Sequence, residues 1–550
     1  MNPNINSSHK RFLAVENGGR FRGQFWDVVG QKSFLSVAFQ DFFCKEVMIM
    51  KELVTAEQMR RSDAFAIEHQ HMASPVLMER AALAVADEIL QHQNPDKILA
   101  VCGTGNNGGD GAAAARILRL RGYDAEICPV GNPEKYSEGM RTQMKIAGNY
   151  RIPVVNNPVF TEYTVIIDAL FGTGLSRAVT GAYAEVIDQI NESHVPVVSV
   201  DIPSGIHTDT GAVLGTAVHA AATVTFAFEK PGLLLPPGSV CSGTVYQAEI
   251  GVSGCFLPGE PRYYRMEQKD LLPFLKRNPL GNKGTFGKIL AVAGSREICG
   301  AALLCSEAAF RAGAGIVRVL TEENNRLPFL LKLPEAMLSL YRDGEPLPEE
   351  TLTGALEWSD LALIGPGLGT GDTARELVKW LLSGSSIPVV IDADALNLIA
   401  REPSLLKKAS CPTVVTPHLG EMARLTGKSI SALKQNLPAA ALDFAKEFHT
   451  VCVLKDARTV VASPKGTLFI NSSGCSALAT AGSGDVLSGI LASLLVQQKN
   501  AGSSLPAECV AAAAVFLHGL LGEQAAGQMS EASVLAGDLI RMLEHTDPLA

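Results

Sequence analysis

The chain alternates short β-branched runs with longer helical patterns, and it does so in two separate series. The strand-like runs of the first series, which starts at residue 97, are KILAVCG, DAEICPVG, TVIIDALFG, VPVVSVDIPSG and ATVTFAF. Segments with helical periodicity, such as GAAAARILRLRG and GAYAEVIDQINESH, lie between them. This alternation predicts a parallel sheet that is covered by helices on both faces.

A second series follows a region rich in proline and glycine at residues 231–260. Its strand-like runs are KILAVAG, GIVRVL, LALIGPG, IPVVIDADAL, CPTVVTPH and TVCVLKDA. Because 550 residues exceed what one hydrophobic core usually serves, we predict two α/β domains. We place the boundary between them near residues 255–270.

The charge and the cysteine content disfavour several classes of protein. With 47 lysines and arginines against 56 acids, the net charge of −9 disfavours a general nucleic-acid-binding surface. The 11 cysteines form no CxxC pair, and several, such as Cys102 and Cys452, lie in apolar runs typical of buried thiols. No uninterrupted apolar stretch reaches the roughly 18 residues of a membrane span. We therefore expect a reduced, cytoplasmic protein without a membrane partner.

Residues 1–49 fit the rest of the chain poorly. They contain basic residues but neither the apolar core nor the cleavage pattern of a secretory signal. Helical periodicity begins only near Met50, in MKELVTAEQMRRSD. We interpret residues 1–49 as a poorly ordered extension, or as sequence upstream of a true start at Met48 or Met50.

The segment KILAVCGTGNNGGDGAAAARIL predicts a strand, a turn and a helix. Gly103, Gly105 and Gly108 satisfy the GxGxxG pattern of dinucleotide-binding folds. A nicotinamide-binding site of that type carries an acid at the end of its second strand. Here that strand ends in Cys128 and Pro129, which disfavours a plain dehydrogenase.

Polar side chains accompany the strand ends of the first series. Asn107 lies in the turn, Asp168 ends TVIIDA, and Ser204 follows VVSVD. Ligands of open parallel sheets bind beyond the carboxyl ends of the strands, so these three should converge as oxygen ligands for a monovalent cation. A loop cap is the alternative for any one strand-end acid. Asp110, Asp168 and Asp201, each beside a glycine turn, together favour a site.

The motifs GTGNNGGDG, DALFGTGLSR and VDIPSG resemble those of the bacterial NAD(P)H-hydrate epimerase family, across residues 50–260. The resemblance implies a Rossmann-like three-layer αβα sandwich, inversion at the hydrated C6 of the nicotinamide ring, and potassium on the asparagine, aspartate and serine named above. Asp201 is our candidate for the proton transfer. From the residues alone, Arg177 fits either a phosphate partner or a solvated loop charge. The implied substrate contacts are Asn106, Asn107, Gly108, Gly109, Asp110, Gly172, Thr173, Gly174, Leu175, Ser176, Arg177, Ala178 and Asp201.

In the second series, GCSALATAGSGDVLSG places the small-residue turn 481–484 directly before Asp485 and an apolar helical start. Backbone amides in such a turn, with a helix N-terminus behind them, attract an anion. An acid there repels that anion, which makes sense if Asp485 accepts a proton while the amides hold a phosphoryl group. The alternative is an ordinary acid in the first turn of a helix.

Other polar groups follow the strands of this series. Asp392 and Asp394 lie in VVIDADALNLI, and His418 follows a strand, either in a site or as a satisfied loop histidine. Lys455 and Arg458 lie between two β runs, where a nucleotide contact and a hairpin turn of solvated charges are equally open. Neither a Walker loop nor the protein-kinase motifs occur, so phosphoryl chemistry would need another scaffold.

The motifs GSREICGAALL, GPGLGTG, DADALN, TPHLGEMARL and AGSGDVLSG together resemble the NAD(P)H-hydrate dehydratase branch of the ribokinase-like superfamily, across residues 266–550. The resemblance implies a ribokinase-like αβα sandwich, Mg²⁺, ADP as phosphoryl donor, and Asp485 as the base. Asp456 departs from the family, which usually has glycine there. The implied substrate contacts are Ala301, Gly367, His418 and Asp485, and the implied nucleotide contacts are Lys455, Asp456, Ala457, Arg458, Thr459 and Gly484.

The two resemblances predict a bifunctional, homo-oligomeric repair enzyme. It epimerises the R and S forms of hydrated NADH and NADPH and dehydrates the S form at the expense of ADP. One alternative is a kinase of a small alcohol or vitamin precursor with a regulatory N-terminal half, which TPHLGEMARL and DADALN disfavour. Another is an N-terminal module that only binds a nucleotide or RNA, which Asn107, Asp168 and Asp201 disfavour.

Overall fold

The computed structural model describes residues 50–93 and 95–545, so the predicted extension at residues 1–49 lies outside the described residues. The strands are β1 Lys51–Leu53, β2 Lys97–Cys102, β3 Asp124–Pro129, β4 Val165–Ala169, β5 Val197–Val200, β6 Ala222–Phe226, β7 Thr244–Ala248, β8 Arg262–Arg265, β9 Lys288–Val292, β10 Ile316–Glu322, β11 Met337–Tyr341, β12 Leu361–Ile364, β13 Val389–Ile391, β14 Thr413–Val415, β15 Val451–Leu454, β16 Val460–Ala462 and β17 Thr467–Ile470. The α-helices are Ala56–Glu68, Ser74–His92, Asn106–Leu120, Glu138–Asn149, Ala182–Ser193, Pro231–Leu234, Gly238–Cys241, Leu272–Leu275, Gly300–Arg311, Arg326–Lys332, Glu349–Trp358, Asp372–Gly384, Ala393–Arg401, Ser404–Lys407, Leu419–Thr426, Ile430–Gln435, Leu437–Phe448, Ser483–Asn500, Ala507–Gln528 and Ala536–Met542.

The N-terminal sheet has six strands in the order β3-β2-β4-β5-β6-β7, and all of its pairs are parallel. Successive side chains of β2 point to opposite faces. Ala100 belongs to the core shared with helix Asn106–Leu120, whereas Leu99 belongs to the core shared with helix Ala182–Ser193. The predicted parallel sheet with helices on both faces is therefore confirmed.

Strand β7 corrects the sequence analysis, which ended the first series at the region 231–260. Residues 244–248 pair in parallel with β6 and extend the sheet by one strand. None of the five residues of β7 is fully buried. Its weak apolar character, among prolines and glycines, explains why the pattern did not reveal it.

The C-terminal sheet has eleven strands in the order β1-β8-β17-β16-β15-β14-β13-β12-β9-β10-β11. The pairs from β11 to β15 are parallel, and β15, β16 and β17 form antiparallel hairpins. Strand β8 pairs in parallel with β17, and β1 pairs antiparallel with β8. The first described strand, β1, lies in the predicted span 50–260. It nevertheless forms an edge of the sheet whose other strands, apart from β8, lie in the predicted span 266–550.

The start of the described chain also differs from the predicted helix at Met50. The helix begins at Ala56, because Thr55 forms a capping box with Gln58: the Thr55 hydroxyl accepts the Gln58 N–H at 3.3 Å, and the Gln58 side chain accepts the Thr55 N–H at 3.0 Å. Residues 51–53 form strand β1 instead. Leu53 is fully buried and belongs to the core of the C-terminal sheet.

Within the described residues, helix Ala507–Gln528 is long and apolar enough to cross a membrane by length and composition. However, 78% of its most apolar window is buried inside the protein. The helix packs against helix Ser483–Asn500. The helix is therefore packed as a core helix, and core helices also meet this criterion of length and composition.

Removing the Leu53 side chain should destabilise the C-terminal domain. Truncation of a buried leucine to alanine costs about 2–5 kcal/mol, so we expect L53A to lower the thermal midpoint by roughly 5 °C or more. Differential scanning calorimetry would measure the change. Leu280, which is 92% exposed, supplies the control L280A, for which we expect no shift. Equal midpoints for both variants would show that β1 adds nothing to the core.

Candidate functional site

A cavity of about 560 Å³ lies at the carboxyl ends of the N-terminal strands. It is lined by the turn after β2, the loop after β4, the residue that follows β5, and helix Ala56–Glu68. The predicted site residues in its lining are Asn106, Asn107, Asp110, Gly172, Thr173, Gly174, Leu175, Ser176, Arg177 and Asp201. Gly108, Gly109 and Ala178 are not in the lining. The structure therefore collects most of the predicted substrate contacts around one cavity.

Two glycines of the turn after β2 allow backbone segments to touch. A Cβ on Gly103 would lie 2.0 Å from the Leu170 carbonyl oxygen, and one on Gly108 would lie 2.0 Å from the Gly103 carbonyl oxygen. Gly103 is therefore required for close packing of the turn against the loop after β4 and Gly108 for packing within the turn, whereas a Cβ on Gly105 would meet nothing within 4 Å.

Asp168 is fully buried and is held by neutral donors. The Ser204 hydroxyl donates to Asp168 Oδ1 at 2.6 Å, the Ser204 N–H donates to Oδ2 at 2.9 Å, and the Ser199 hydroxyl donates to Oδ2 at 2.8 Å. Burial raises the pKa of Asp168, and the hydrogen bonds from Ser204 and Ser199 oppose that rise. Among the described residues, no lysine or arginine forms an ion pair with it. Its negative charge is thus left without a fixed counter-charge.

Asn107 lies against the loop after β4. Its Oδ1 would be 3.1 Å from a Cβ on Gly172, and its Nδ2 is buried without a hydrogen-bond partner in the part of the chain that the structure describes. A side-chain amide can present either its oxygen or its nitrogen to a ligand. The structure thus joins Asp168 and Ser204 directly and leaves the Asn107 amide available at the adjoining loop.

Asp201 forms an ion pair that the sequence analysis missed. Its backbone adopts a left-handed φ of 68°, which outside glycine is found mainly in asparagine, aspartate and histidine. The Lys230 side chain is fully buried, and its ammonium donates to Asp201 Oδ1, to the Thr225 hydroxyl at 2.8 Å and to the Phe226 carbonyl at 3.2 Å. A charged residue directly after a strand-like run was the available signal for Lys230.

Two further acids of the cavity lie near Asp201. Burial raises the pKa of Asp63 to about 6, with Asp201 raising it further and Lys230 lowering it. Burial also raises the pKa of Asp110 well above its usual value, again with a contribution from Asp201. The cavity therefore offers both proton donors and proton acceptors near neutral pH. Asp63 lies within a helix in no recognisable motif, so the sequence offered no signal for it.

The second site surrounds the start of helix Ser483–Asn500. Gly482 caps this helix with a left-handed φ of 88°, and Asp485 lies in its first turn. Burial raises the pKa of Asp485 to about 7, Asp392 raises it further, and Lys455 lowers it. Asp485 is thus an acid in the first turn of a helix, and its role as the base stays a prediction with which the raised pKa is compatible.

Lys455 links Asp485 to the strand-end acid Asp392. Its ammonium forms an ion pair with the buried Asp392 carboxylate at 2.8 Å and lies 3.4 Å from where a Cβ on Gly484 would be. Burial lowers the pKa of Lys455, but Asp392, Glu421 and Asp485 together raise it above its usual value. A firmly charged lysine therefore lies beside the predicted anion-binding turn.

His418 combines the two alternatives left open by the sequence. It caps helix Leu419–Thr426: its Nδ1 accepts the N–H groups of Gly420 at 2.9 Å and Glu421 at 3.3 Å. Its side chain is nevertheless 53% exposed, with Nε2 lying 3.5 Å from the Glu421 carboxylate. Burial lowers the pKa of His418 and raises that of Glu421 to about 7. The ring is thus fixed in orientation and accessible at one edge.

The structure also brings together Ala301 and Gly367. A Cβ on Gly367 would lie 3.0 Å from the Ala301 Cβ, and the Gly367 backbone has a left-handed φ of 61°. The same loop is held to the DADALN segment, because the Gly369 N–H donates to the Asp394 carboxylate at 2.9 Å. These two predicted substrate contacts therefore lie side by side.

The predicted nucleotide loop, residues 455–459, connects the antiparallel strands β15 and β16. Arg458 donates to the backbone carbonyls of Ser472 at 2.8 Å and Ser473 at 3.2 Å. Lys455 and Arg458 are therefore both engaged within the domain, unlike the solvated charges of a plain hairpin. Their contact with a nucleotide, and the effect of Asp456, stay predictions.

Comparison with known proteins agrees with both motif sets. Residues 74–232 match the family described as YjeF-related protein N-terminus, and residues 289–545 match the family described as NAD(P)H-hydrate dehydratase. In structure, the chain is similar to the ADP/ATP-dependent NAD(P)H-hydrate dehydratase from Bacillus subtilis, with 31% identity and a TM-score of 0.44 over 51% of this chain and 96% of that one.

Two relatives match almost end to end. The bifunctional NAD(P)H-hydrate repair enzyme Nnr of Moorella thermoacetica is 36% identical over 521 residues, which cover 90% of this chain and 96% of the relative. The enzyme of the same name from Escherichia coli is 34% identical over 498 residues, which cover 89% and 93%. The resemblance predicted from the sequence is confirmed: the chain belongs to the family of bifunctional NAD(P)H-hydrate repair enzymes.

Proposed function

We propose that the chain repairs hydrated NADH and NADPH in two steps. The N-terminal site interconverts the R and S forms, and the C-terminal site dehydrates the S form at the expense of ADP. The observation that carries this proposal is that both acid-lined strand-end sites are complete in a chain that matches bifunctional relatives over 90% of its length. A small-alcohol kinase with a regulatory N-terminal half would not need the acids of the first cavity.

In the N-terminal site, Asp201 exchanges the proton that inversion at C6 requires. Lys230 holds the Asp201 carboxylate in place. Asp63, with a pKa of about 6, is a second proton carrier in the same cavity. Turn residues such as Asn106 and Gly172 would contact the dinucleotide around them.

We further propose potassium as the cation of this domain, held by Asn107, Asp168 and Ser204. The support is chemical: a buried carboxylate with neutral donors only, and an Asn107 amide at the adjoining loop whose oxygen is a suitable cation ligand. A monovalent cation would balance the Asp168 charge and orient the neighbouring loop.

In the C-terminal site, Asp485 takes the proton from the C6 hydroxyl as that oxygen attacks the terminal phosphoryl group of ADP, and AMP leaves. The ring nitrogen then expels phosphate from C6, and loss of a proton from the adjacent carbon restores NADH or NADPH. Ala301, Gly367 and His418 would hold the dinucleotide. The amides of the turn 481–484 and the Lys455 ammonium stabilise the charge on the transferring group.

Mg²⁺ would enter this site with the nucleotide. The described residues contain no group of three or more His, Cys, Asp or Glu side chains arranged to hold a metal by themselves. Nucleotide phosphates with one or two carboxylates are the usual ligands of Mg²⁺ in such a case. The ion would neutralise phosphate charge while Lys455 and Asp485 act on the substrate.

We also propose that the enzyme is cytoplasmic and homo-oligomeric and binds neither nucleic acid nor membranes. The net charge of −9 supports the absence of nucleic-acid binding. The cysteines that the structure describes are all free thiols, which suits a reducing compartment.

Replacement of Asp485 tests the proposed function. With hydrated NADH as mixed epimers and ADP, the wild type should restore the absorbance of both epimers and release one AMP per cofactor. We expect D485N to lower the dehydration rate by about 100-fold or more while epimerisation continues. Asp372, an exposed acid in the first turn of another helix of this domain, supplies the control D372N. Recovery of one epimer only, or retained dehydration in D485N, would contradict the proposal.

The dehydratase rate should rise with pH through about 7. Asp485 accepts a proton only when ionised, and its pKa of about 7 lies well above the usual aspartate value. A profile of kcat between pH 5 and 9 should therefore show an ascending limb near neutrality. A plateau that already begins near pH 5 would show that the base has an ordinary carboxylate pKa.

Potassium should act through Asp168. We expect epimerisation to be faster in KCl than in NaCl, and KCl to raise the thermal midpoint of the wild type. Both effects should disappear in D168N. The control S199A removes one hydrogen bond to Asp168 but replaces none of the proposed ligands. In this variant both effects should persist. Identical behaviour in the two salts would rule out the site.

A further inference from the structure

Strands β1 and β8 place two cations directly opposite each other. Lys51 and Arg265 are register partners in this antiparallel pair. Like charges in that arrangement repel and would weaken the pairing. The carboxylate of Glu229 lies between them: it accepts from Lys51 at 2.6 Å and from Arg265 at 2.6 and 3.0 Å.

Glu229 is therefore fixed by both its side chain and its backbone. It is 4% exposed, and its carbonyl accepts the N–H of Val54 at 3.0 Å. Burial alone would raise the pKa of Glu229, but Arg265 and Lys51 hold it below the usual value. A bidentate arginine contact and a lysine contact make this carboxylate one of the best-anchored groups between the two sheets.

The next residue along the chain is Lys230, whose ammonium holds Asp201 in the N-terminal cavity. Lys230 has an extended backbone, with φ −112° and ψ 145°. In extended chain, successive side chains point to opposite sides. Glu229 can thus face the strands β1 and β8 while the Lys230 side chain points the other way, to Asp201. The two residues share one peptide bond, so the anchoring of Glu229 restricts the position of Lys230.

We propose that Glu229 is a positioning residue of the epimerase site, which anchors Lys230 and through it Asp201 to the strand pair that joins the two domains. This inference rests on the proposed epimerase function. It means that strands β1 and β8 help to position the groups that act in the N-terminal cavity. Asp63 and Asp110 face the same Asp201 from two helices, so a displaced Lys230 would leave Asp201 and Asp63 without their cation beside a third acid.

The variant E229Q tests this, because it keeps the shape of the side chain and removes its charge. We expect kcat of epimerisation to fall about tenfold with KM nearly unchanged. The acidic limb of its pH profile should move to higher pH, because Lys230 lowers the pKa of Asp63 and a displaced Lys230 would let that pKa rise above about 6. Dehydration at Asp485 should stay within about twofold of the wild type. The conservative variant E229D should recover part of the rate.

A neighbouring ion pair supplies the matched control. Glu52 pairs with Arg262 across the same two strands, without a link to Lys230. We expect E52Q to leave the epimerase pH profile unchanged. An equal loss in E52Q and E229Q would mean that any loosening of the strand pair suffices, and would overturn the proposal.

Labelling of lysines separates this inference from the proposed function. Acetylation by acetic anhydride, followed by peptide mass spectrometry, needs no enzyme activity. We expect Lys230 to be protected in the wild type and in E52Q, and to react several-fold faster in E229Q. A wild type that does not epimerise would refute the proposed function alone. Protection of Lys230 that persists in E229Q would refute the role of Glu229.

Discussion

Each of the two sites depends on one lysine that lies among carboxylates at the carboxyl ends of a parallel sheet. Lys230 binds Asp201 in the first domain, and Lys455 binds Asp392 in the second. A buried charge is tolerated only when it is paired and hydrogen-bonded, so each lysine and its acids stabilise one another. Glycines in the surrounding turns leave room for each lysine and its acids to approach one another.

The acids around each lysine divide into two kinds. Asp201 and Asp392 contact the ammonium directly, whereas Asp63 and Asp485 do not, and the pKa values of these two rise to about 6 and about 7. Each lysine thus pairs directly with one acid and lies near a second acid whose pKa is close to neutral pH. The two domains reach this arrangement on different topologies and for different reactions.

The sequence predicted those parts that depend on local pattern. The strand ends with Asp168 and Asp201, the turn before Asp485, and the two layered α/β domains all followed from periodicity and motifs. Strand β1 was missed, because three residues are too few for any periodicity, and its place depends on a partner far along the chain. Lys230 was missed although it closely follows a strand-like run, because its partner Asp201 lies on another strand. Asp63 was missed because its importance comes from long-range contacts that no local pattern contains.

The pairing of β1 with β8 also bears on how the chain is completed on the ribosome. Residue 51 emerges early, but its register partner is residue 265, and β8 in turn pairs with β17 at residues 467–470. Contacts between residues so far apart form late, since the intervening chain must first be made and closed into a loop. The first described strand therefore waits for nearly the whole polypeptide before it is covered. Until β8 and β17 have been made, Leu53 has no sheet to pack into, so the start of the first domain is completed only together with the second.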